Sequence, residues 1–241
     1  MNRQPLVCFR RARAGLQGFG GRRRGYRSGD LNRPGEDADR HRPADAAQIL
    51  FLFTNGQRTC RRMVVTLIGY RGSGKSSVAG PLAERLGWAA CDADAALESA
   101  AGATIREIFA AEGEAGFRRR EQTVLAELLQ RDRWVIAAGG GAVLSETTRR
   151  AMRAAGPVIW LQAAPATLWA RIAGDATTAA RRPNLARGGL AEIQDLLAAR
   201  EPFYRECATF TIDTEGLAVA QIVDEAWRLL QTVWNQVAAG K

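Results

Sequence analysis

The stretch LIGYRGSGKSSVAG, residues 67–80, places three glycines directly ahead of Lys75. Lysine is rare in this chain, which has two lysines and 32 arginines, so a lysine at this position needs a chemical reason. An apolar segment precedes the glycines, and after Lys75 an apolar residue recurs every fourth position, at Val78, Leu82 and Leu86. These patterns predict a strand, a tight glycine loop and a helix in direct succession.

The spacing Gly69-x-x-x-x-Gly74-Lys75-Ser76 matches a phosphate-binding loop in the required strand–loop–helix context. Glycines let the backbone curl so that successive N–H groups point at one phosphate, and the N-terminus of the helix adds partial positive charge. Lys75 is a compact charge on a flexible stem that can reach the β- and γ-phosphates, which a planar guanidinium does poorly. Ser76 supplies a hydroxyl for Mg²⁺. A glycine-rich turn without a ligand is the alternative.

The positive charge of the chain is concentrated at its start. The formal net charge is +9; residues 1–62 carry 14 arginines against five acidic residues, whereas residues 63–241 carry 20 basic and 20 acidic residues. Arginine, glycine and scattered acids without periodicity predict that the first segment is disordered. We interpret residues 1–62 as a non-native or unselected leader with Met63 as the functional start. An organellar transit peptide and a nucleic-acid-binding arm are the alternatives.

Cysteine and histidine usage excludes several kinds of site. The cysteines form no CxxC pair, so we expect neither a disulfide framework nor a zinc site, and a reducing, cytoplasmic compartment. The only histidine, His41, lies in the leader, so the chemistry of residues 63–241 must work without imidazole. The apolar run 49–53 is too short to span a bilayer, and no membrane partner is expected. The four cysteines are Cys8, Cys60, Cys91 and Cys207.

Short apolar segments alternate with amphipathic helical stretches from Met63 onward. This alternation predicts a three-layer α/β domain, in which helices cover both faces of a parallel sheet. Ligands are then expected at the carboxyl ends of the strands. The predicted strands span 63–68, 88–92, 134–138, 157–162 and 208–213.

Asp92 and Asp94, in CDADAALE, follow the second predicted strand. Two carboxylates two positions apart on an extended segment face the same side. One could hold magnesium through water while the other accepts a proton from a substrate hydroxyl. A helix N-cap followed by an acidic first turn is the alternative.

Two further motifs could bind an anionic acceptor. Arg118 and Glu121, in GEAGFRRREQ, are three positions apart and share one helix face, although a solvated ion pair has the same spacing. The run Gly139-Gly140-Gly141 directly follows an apolar strand; glycine runs are entropically costly and usually mark close approach to a ligand. A flexible turn is the alternative.

The segment RIAGDATTAARRPNL lies between two helical stretches and carries Arg181 and Arg182. It is typical of a mobile lid that brings an arginine onto the phosphates, and equally of a surface loop. Further on, AAREPFYREC carries Arg200 near the predicted end of a helix, before Pro202.

Taken in order, GxxxxGKS, DxD, FRxxE, GGG, an RP-containing loop and RxPxY resemble the shikimate kinase family. The resemblance covers residues 63–241 and none of 1–62. It implies phosphoryl transfer from ATP to the 3-hydroxyl of shikimate, on the route to chorismate and the aromatic amino acids. It also implies a nucleoside-monophosphate-kinase-like fold with a five-stranded parallel sheet and a closing lid. We expect a monomer whose partners are ATP, shikimate and Mg²⁺, with no nucleic acid.

The resemblance assigns roles to positions that match the family motifs. Asp94 would hold the shikimate hydroxyls, Arg118 and Arg200 its carboxylate, and Gly140 would offer an N–H. The implied catalytic residues are Lys75, Asp94 and Arg182. The implied ATP-binding residues are Gly72, Ser73, Gly74, Lys75, Ser76, Ser77, Arg171 and Arg182. The implied metal ligands are Ser76 and Asp92. The implied acceptor-binding residues are Asp94, Arg118, Glu121, Gly139, Gly140, Gly141 and Arg200.

The chain departs from the family pattern at Pro81, inside the predicted helix after the glycine loop, and at two further places. Its lid reads RRPNL where the family usually has RPLL, so either Arg181 or Arg182 could be the lid arginine. The segment DTEGLAV lacks the basic residue that often closes over adenine. The alternatives are a gluconate kinase of the same fold, which the paired arginines and the glycine run argue against, and a nucleotide-sensing protein whose leader binds nucleic acid.

Overall fold

The computed structural model describes residues 52–54, 57–59, 63–174 and 189–238. Five parallel strands form one sheet, as the alternation of apolar segments predicts. The strands are β1 Val64–Ile68, β2 Ala89–Asp92, β3 Trp134–Ala137, β4 Val158–Gln162 and β5 Phe210–Asp213. Their spatial order in the sheet is β2-β3-β1-β4-β5.

Seven helices connect or flank these strands in the described ranges. They are α1 Lys75–Leu86, α2 Ala93–Ala101, α3 Ile105–Leu128, α4 Glu146–Ala155, α5 Pro165–Ala173, α6 Gly189–Cys207 and α7 Val219–Ala238.

The central strand β1 shows why the domain has three layers. All five of its residues are buried, as expected for a parallel strand covered on both faces. Val65 and Leu67 pack with α1 and α7, whereas Val64 and Ile68 pack with α3, α4 and α6 on the opposite face. Because successive side chains of β1 point to opposite faces of the sheet, the strand contributes to two separate hydrophobic cores.

Two helices depart from a simple reading of the sequence. Helix α3 bends at Gly113, whose backbone has φ 66° and ψ −174°. Helix α6 continues through Pro202 to Cys207, so Arg200 lies well inside a helix rather than near its end.

Two short strands precede the domain, within the segment that the sequence predicts to be disordered. Leu52–Thr54 and Gln57–Thr59 pair antiparallel with each other and form a separate sheet. The predicted lid, with Arg181 and Arg182, lies outside the described residues. No helix within the described ranges is long and apolar enough to cross a membrane.

The carboxyl ends of the five parallel strands meet at one edge of the sheet. The glycine loop follows β1, Asp92 ends β2, Gly139–Gly141 follows β3, and Thr214 follows β5. Side chains that are distant in sequence therefore converge at this edge, where ligands bind in open α/β sheets.

Candidate active site

The phosphate-loop glycines are required both by conformation and by space. Gly69, Gly72 and Gly74 have φ values of 144°, 81° and 90°, a region that favours glycine. A Cβ atom at Gly69 would lie 2.4 Å from the carbonyl oxygen of Leu161, and one at Gly72 would lie 3.0 Å from Cγ1 of Ile172. The loop therefore packs its backbone directly against β4 and α5.

Lys75 is the first residue of α1, and its ammonium is held by the loop itself. Nζ donates to the carbonyl oxygens of Gly69 at 3.0 Å and of Tyr70 at 2.9 Å. Gly74 caps the helix in a left-handed conformation without a side-chain hydrogen bond. The loop N–H groups, the helix N-terminus and one point charge therefore lie together, as anion binding requires.

A cavity of about 450 Å³ opens at this loop. Its walls bring together residues from four strand ends that the sequence separates by up to 150 positions. The predicted site residues among them are Gly72, Ser73, Gly74, Lys75, Ser76, Ser77, Asp92, Asp94, Gly140 and Arg171.

Asp92 caps α2 and also contacts the phosphate loop. Its Oδ1 accepts from the backbone N–H groups of Asp94 at 2.9 Å and Ala95 at 3.1 Å, so it is the N-cap of α2. Its Oδ2 accepts a hydrogen bond from the Ser76 hydroxyl. The cap thus fixes the carboxylate beside the loop serine.

The Ser76 hydroxyl and the Asp92 carboxylate suit magnesium, which takes oxygen donors and keeps several waters. Among the described residues, no group of three or more His, Cys, Asp or Glu side chains could hold a metal. An Mg²⁺ ion at this pair would therefore draw its other ligands from phosphate oxygens and water.

Asp94 reaches the cavity by a different route from the one predicted. The expectation that Asp92 and Asp94 share one side of an extended segment is wrong, because the strand ends at Asp92 and Asp94 lies in the first turn of α2. The N-cap turns the chain, and that turn places both carboxylates on the same cavity.

The glycine turn after β3 is where the predicted acceptor residues meet. A Cβ atom at Gly139 would lie 2.4 Å from Oε1 of Glu121 and 2.9 Å from Oδ1 of Asp94. At Gly141 it would lie 2.2 Å from Nη1 of Arg118. At these two glycines the closely approaching groups are the protein's own charged side chains.

Arg118 and Glu121 form a partly buried pair, which argues against a solvated one. Nη1 of Arg118 donates to Oε2 of Glu121 at 2.7 Å, and their side chains are 20% and 5% exposed. Burial alone would lower the pKa of Arg118, but the carboxylates of Glu121 and Glu114 outweigh it and raise that pKa. Arg118 therefore stays a guanidinium cation.

Arg118, Glu121 and Gly141 line a second cavity, of about 470 Å³, between α3 and α4. Gly140 and Asp94 line the first. The glycine turn thus has a cavity on either side, and five of the seven predicted acceptor residues are divided between the two; Gly139 and Arg200 line neither.

Arg200 approaches the same turn from α6. Its Nη1 lies 3.4 Å from the carbonyl oxygen of Gly140, and its guanidinium lies 5.6 Å from the centre of the Tyr70 ring. The Tyr204 hydroxyl donates to the same carbonyl at 2.9 Å. The two predicted acceptor arginines therefore contact neighbouring glycines of one turn.

Arg171 lies on the far side of the first cavity, at the end of α5. It donates through Nη1 to Oγ1 of Thr214 at 3.1 Å and through Nη2 to the Thr214 carbonyl at 3.0 Å. Leu217 and Val219, which are 37% and 38% exposed, line the cavity near it. This part of the cavity wall is apolar.

Several residues that shape the site were not predicted from the sequence. The sequence did single out Tyr204 as the last residue of the RxPxY motif, but it could not show the contact of Tyr204 with Gly140, which depends on how α6 packs. No motif in the sequence indicates Arg149. It is 7% exposed and donates to the Val143 carbonyl at 2.7 Å, just after the glycine turn. No motif indicates Thr214 either, although it accepts both hydrogen bonds from Arg171.

The central strand of a parallel sheet runs into a glycine loop, beside a cavity that also holds two aspartates; this combination defines a P-loop nucleotide-binding site. A model of the shikimate kinase family matches residues 71–231 of this chain. The chain belongs to that family.

Individual relatives agree with this assignment. Shikimate kinase of Rhodopirellula baltica is 46% identical over 160 residues, covering 66% of this chain and 86% of that protein. The Symbiobacterium thermophilum enzyme is 46% identical over 170 residues, covering 70% and 97%. The solved structure of Acinetobacter baumannii shikimate kinase in complex with shikimate matches with a TM-score of 0.67 and 36% identity, covering 71% of this chain and 94% of that one.

Proposed function

We infer that this protein transfers the γ-phosphoryl group of ATP to the 3-hydroxyl of shikimate, giving 3-phosphoshikimate and ADP for the synthesis of chorismate and aromatic amino acids. The observation that carries the inference is the convergence of Arg118, Arg200 and Asp94 on the glycine turn, beside the phosphate loop. A small anionic polyol needs guanidinium groups for its carboxylate and an acceptor for its hydroxyls.

On the nucleotide side, we assign phosphate binding to the backbone of Gly72–Ser77 and to Lys75. The loop N–H groups hold the phosphates, and Lys75 stabilises charge on the β- and γ-phosphate oxygens. Arg171 is assigned to the base, with its guanidinium plane held by Thr214. Arg182 is assigned to the phosphates as the lid arginine.

Ser76 and Asp92 are the residues that would hold Mg²⁺. The bound ion would neutralise charge on the β- and γ-phosphate oxygens. The contact of Ser76 with Asp92 supports this assignment, since both donors are oxygen atoms already held together.

On the acceptor side, Asp94 would orient the reacting hydroxyl and take its proton. With no histidine in residues 63–241, a carboxylate has to do this work. Arg118 and Arg200 would bind the carboxylate, and Glu121 would hold Arg118 in place. The transition state is loose, so positioning and charge should matter more than proton removal.

We propose that residues 63–241 are the functional unit, acting as a cytoplasmic monomer. Three contacts tie Met63 into the domain: its N–H donates to Asp132 Oδ1 at 3.0 Å, its carbonyl accepts from Arg133 at 2.8 Å, and its sulfur lies 3.1 Å from Nε1 of Trp234. A chain beginning at Met63 should keep full activity. Loss of activity in that shorter chain would show that the leader has a role. So would steeply salt-dependent nucleic-acid binding that the full chain shows and the shorter chain does not.

A coupled ADP-release assay tests the proposed activity. ADP should form from ATP and Mg²⁺ when shikimate is added, and gluconate should neither replace shikimate nor compete with it. ADP release with gluconate but not with shikimate would contradict the acceptor assignment.

A further inference from the structure

We propose that Tyr204 is a positioning residue of the acceptor site: by holding the Gly140 carbonyl, it leaves the guanidinium of Arg200 available to the acceptor's carboxylate. This inference rests on the proposed function of Arg200. Tyr204 itself would touch neither substrate, and acts only through its two neighbours.

The hydroxyl of Tyr204 is held in one place by its surroundings. The residue is fully buried, and its ring stacks on Trp160 of β4 with centroids 5.5 Å apart and an interplanar angle of 16°. Burial raises the pKa of Tyr204 to about 12, so the hydroxyl keeps its proton at neutral pH and remains a donor. A rigid ring with a permanent donor therefore faces the glycine turn.

One carbonyl oxygen is shared by two donors of unequal strength. Gly140 accepts from Tyr204 at 2.9 Å, which is an ordinary hydrogen-bond length, and from Nη1 of Arg200 at 3.4 Å, which is long. A carbonyl oxygen has two lone pairs, so both contacts can coexist. Because Tyr204 provides the shorter bond to this carbonyl, Arg200 stays near the turn but binds it only weakly, and its guanidinium can still bind the acceptor.

The same bond sets the orientation of the turn. A peptide group is planar and trans, so holding the Gly140 carbonyl also directs the N–H of Gly141 to the opposite side. Glycine is the most flexible residue, and three in a row have little orientation of their own. The hydrogen bond from Tyr204 of α6 acts as a tether that fixes the orientation of the turn.

Tyr204→Phe removes the hydroxyl and keeps the ring against Trp160. Arg200 should then move onto the Gly140 carbonyl, and the KM for shikimate should rise by about three- to tenfold, the scale of one neutral hydrogen bond. The kcat and the KM for ATP should change by less than about twofold, since the phosphate loop is untouched.

A double-mutant cycle separates this role from a merely structural one. If Tyr204 acts through Arg200, Tyr204→Phe should have almost no further effect on the shikimate KM in an Arg200→Ala background. Thr209→Val is the control, because it likewise removes a side-chain hydroxyl that hydrogen-bonds to the backbone: the Thr209 hydroxyl accepts from the N–H of Val158 at 3.1 Å, at the opposite end of the sheet. It should lower the melting temperature without changing either KM.

Three outcomes would overturn the inference: an unchanged shikimate KM in Tyr204→Phe, an equal rise in both backgrounds, or parallel losses for ATP and shikimate. The amide NMR signal of Gly141 gives a readout without substrate, and it should shift in Tyr204→Phe but not in Thr209→Val. Wild-type protein that fails to phosphorylate shikimate would instead refute the proposed function, while the Gly141 shift would still test the tether.

Discussion

The guanidinium of Arg118 donates to the carboxylate of Glu121 at 2.7 Å, one turn further along α3, and the Glu121 side chain is only 5% exposed. A buried carboxylate in this position is costly unless its partner stays in place. The pair therefore holds the arginine in a fixed orientation against Gly141, from which it can bind a carboxylate.

Glu121→Gln should disturb the acceptor site while leaving the nucleotide site intact. The amide keeps the shape of the side chain but removes the charge that orients Arg118, so the shikimate KM should rise by about tenfold, as for loss of a charge-assisted hydrogen bond. The ATP KM should stay within about twofold. Steady-state kinetics with each substrate varied in turn would measure both.

Glu146→Gln provides the control for that substitution. Glu146 pairs with Arg150 on the surface, where the two side chains are 61% and 78% exposed, and such pairs contribute little. If both substitutions shifted the shikimate KM equally, or if Glu121→Gln weakened ATP instead, the assignment of Glu121 would be wrong.

Gly139→Ala should damage the site by crowding. The added methyl would come 2.4 Å from Glu121 Oε1 and 2.9 Å from Asp94 Oδ1, so at least one carboxylate must move. We expect kcat with shikimate to fall by about tenfold or more, the scale on which small misplacements act in catalysis. Gly80→Ala, on the exposed face of α1, is the control: apart from its chain neighbours and its own helix, nothing lies within 4 Å of the added methyl, so kcat should not change. Full activity in Gly139→Ala would show that the two carboxylates need not lie against the turn.

Lys75→Arg tests why the chain uses one of its two lysines here. Arginine preserves the charge but not the compact shape that lies between the Gly69 and Tyr70 carbonyls. We expect a loss in kcat of about 10³ or more, close to that of Lys75→Ala. Circular dichroism and thermal unfolding would check that both variants fold. Near wild-type turnover in Lys75→Arg would show that charge alone is sufficient.

Two buried acidic groups should make the protein less stable at alkaline pH. Burial raises the pKa of the Cys207 thiol from 9.0 to about 11 and that of Tyr204 from 10.0 to about 12. The folded state then keeps protons that the unfolded state has lost. Their stabilising contribution is therefore complete below pH 9 and is lost as the pH rises towards 11 and 12.

Urea unfolding of the wild type and Cys207→Ala at several pH values from 8 to 11 would measure this effect. Each group should add a slope of up to about 1.4 kcal/mol per pH unit to the loss of unfolding free energy in its window. Cys207→Ala should be less stable at pH 8 because a buried side chain is shortened, yet show a shallower decline. Parallel curves for the two proteins would contradict the raised pKa of Cys207.

The sequence predicted the sheet because its signals are local. The apolar runs that became β1 and β4 are recognised alone because they are short, continuous and apolar, and the glycine spacing before Lys75 has few structural solutions. The pairing of Arg118 with Glu121 follows in the same way from helical spacing. These features depend on residues within a few positions of one another.

The features that the sequence did not predict depend on tertiary packing. Asp94 reaches the cavity because Asp92 caps a helix. The DxD spacing alone does not distinguish a helix cap from the end of an extended strand. Tyr204 reaches Gly140 only because α6 continues past Pro202 and its ring finds Trp160. Arg149 is buried by contacts with two other elements, the turn after β3 and α6, and nothing in its neighbourhood in the sequence indicates them.

The identity of the phosphorylated product tests the central claim most directly. Wild-type protein should be incubated with ATP, Mg²⁺ and shikimate, and the products separated and examined by phosphorus NMR and mass spectrometry. We predict one 3-phosphoshikimate for each ADP, and the loss of both in Lys75→Ala. ADP formed without phosphorylated shikimate, or phosphate found on another hydroxyl, would contradict the account.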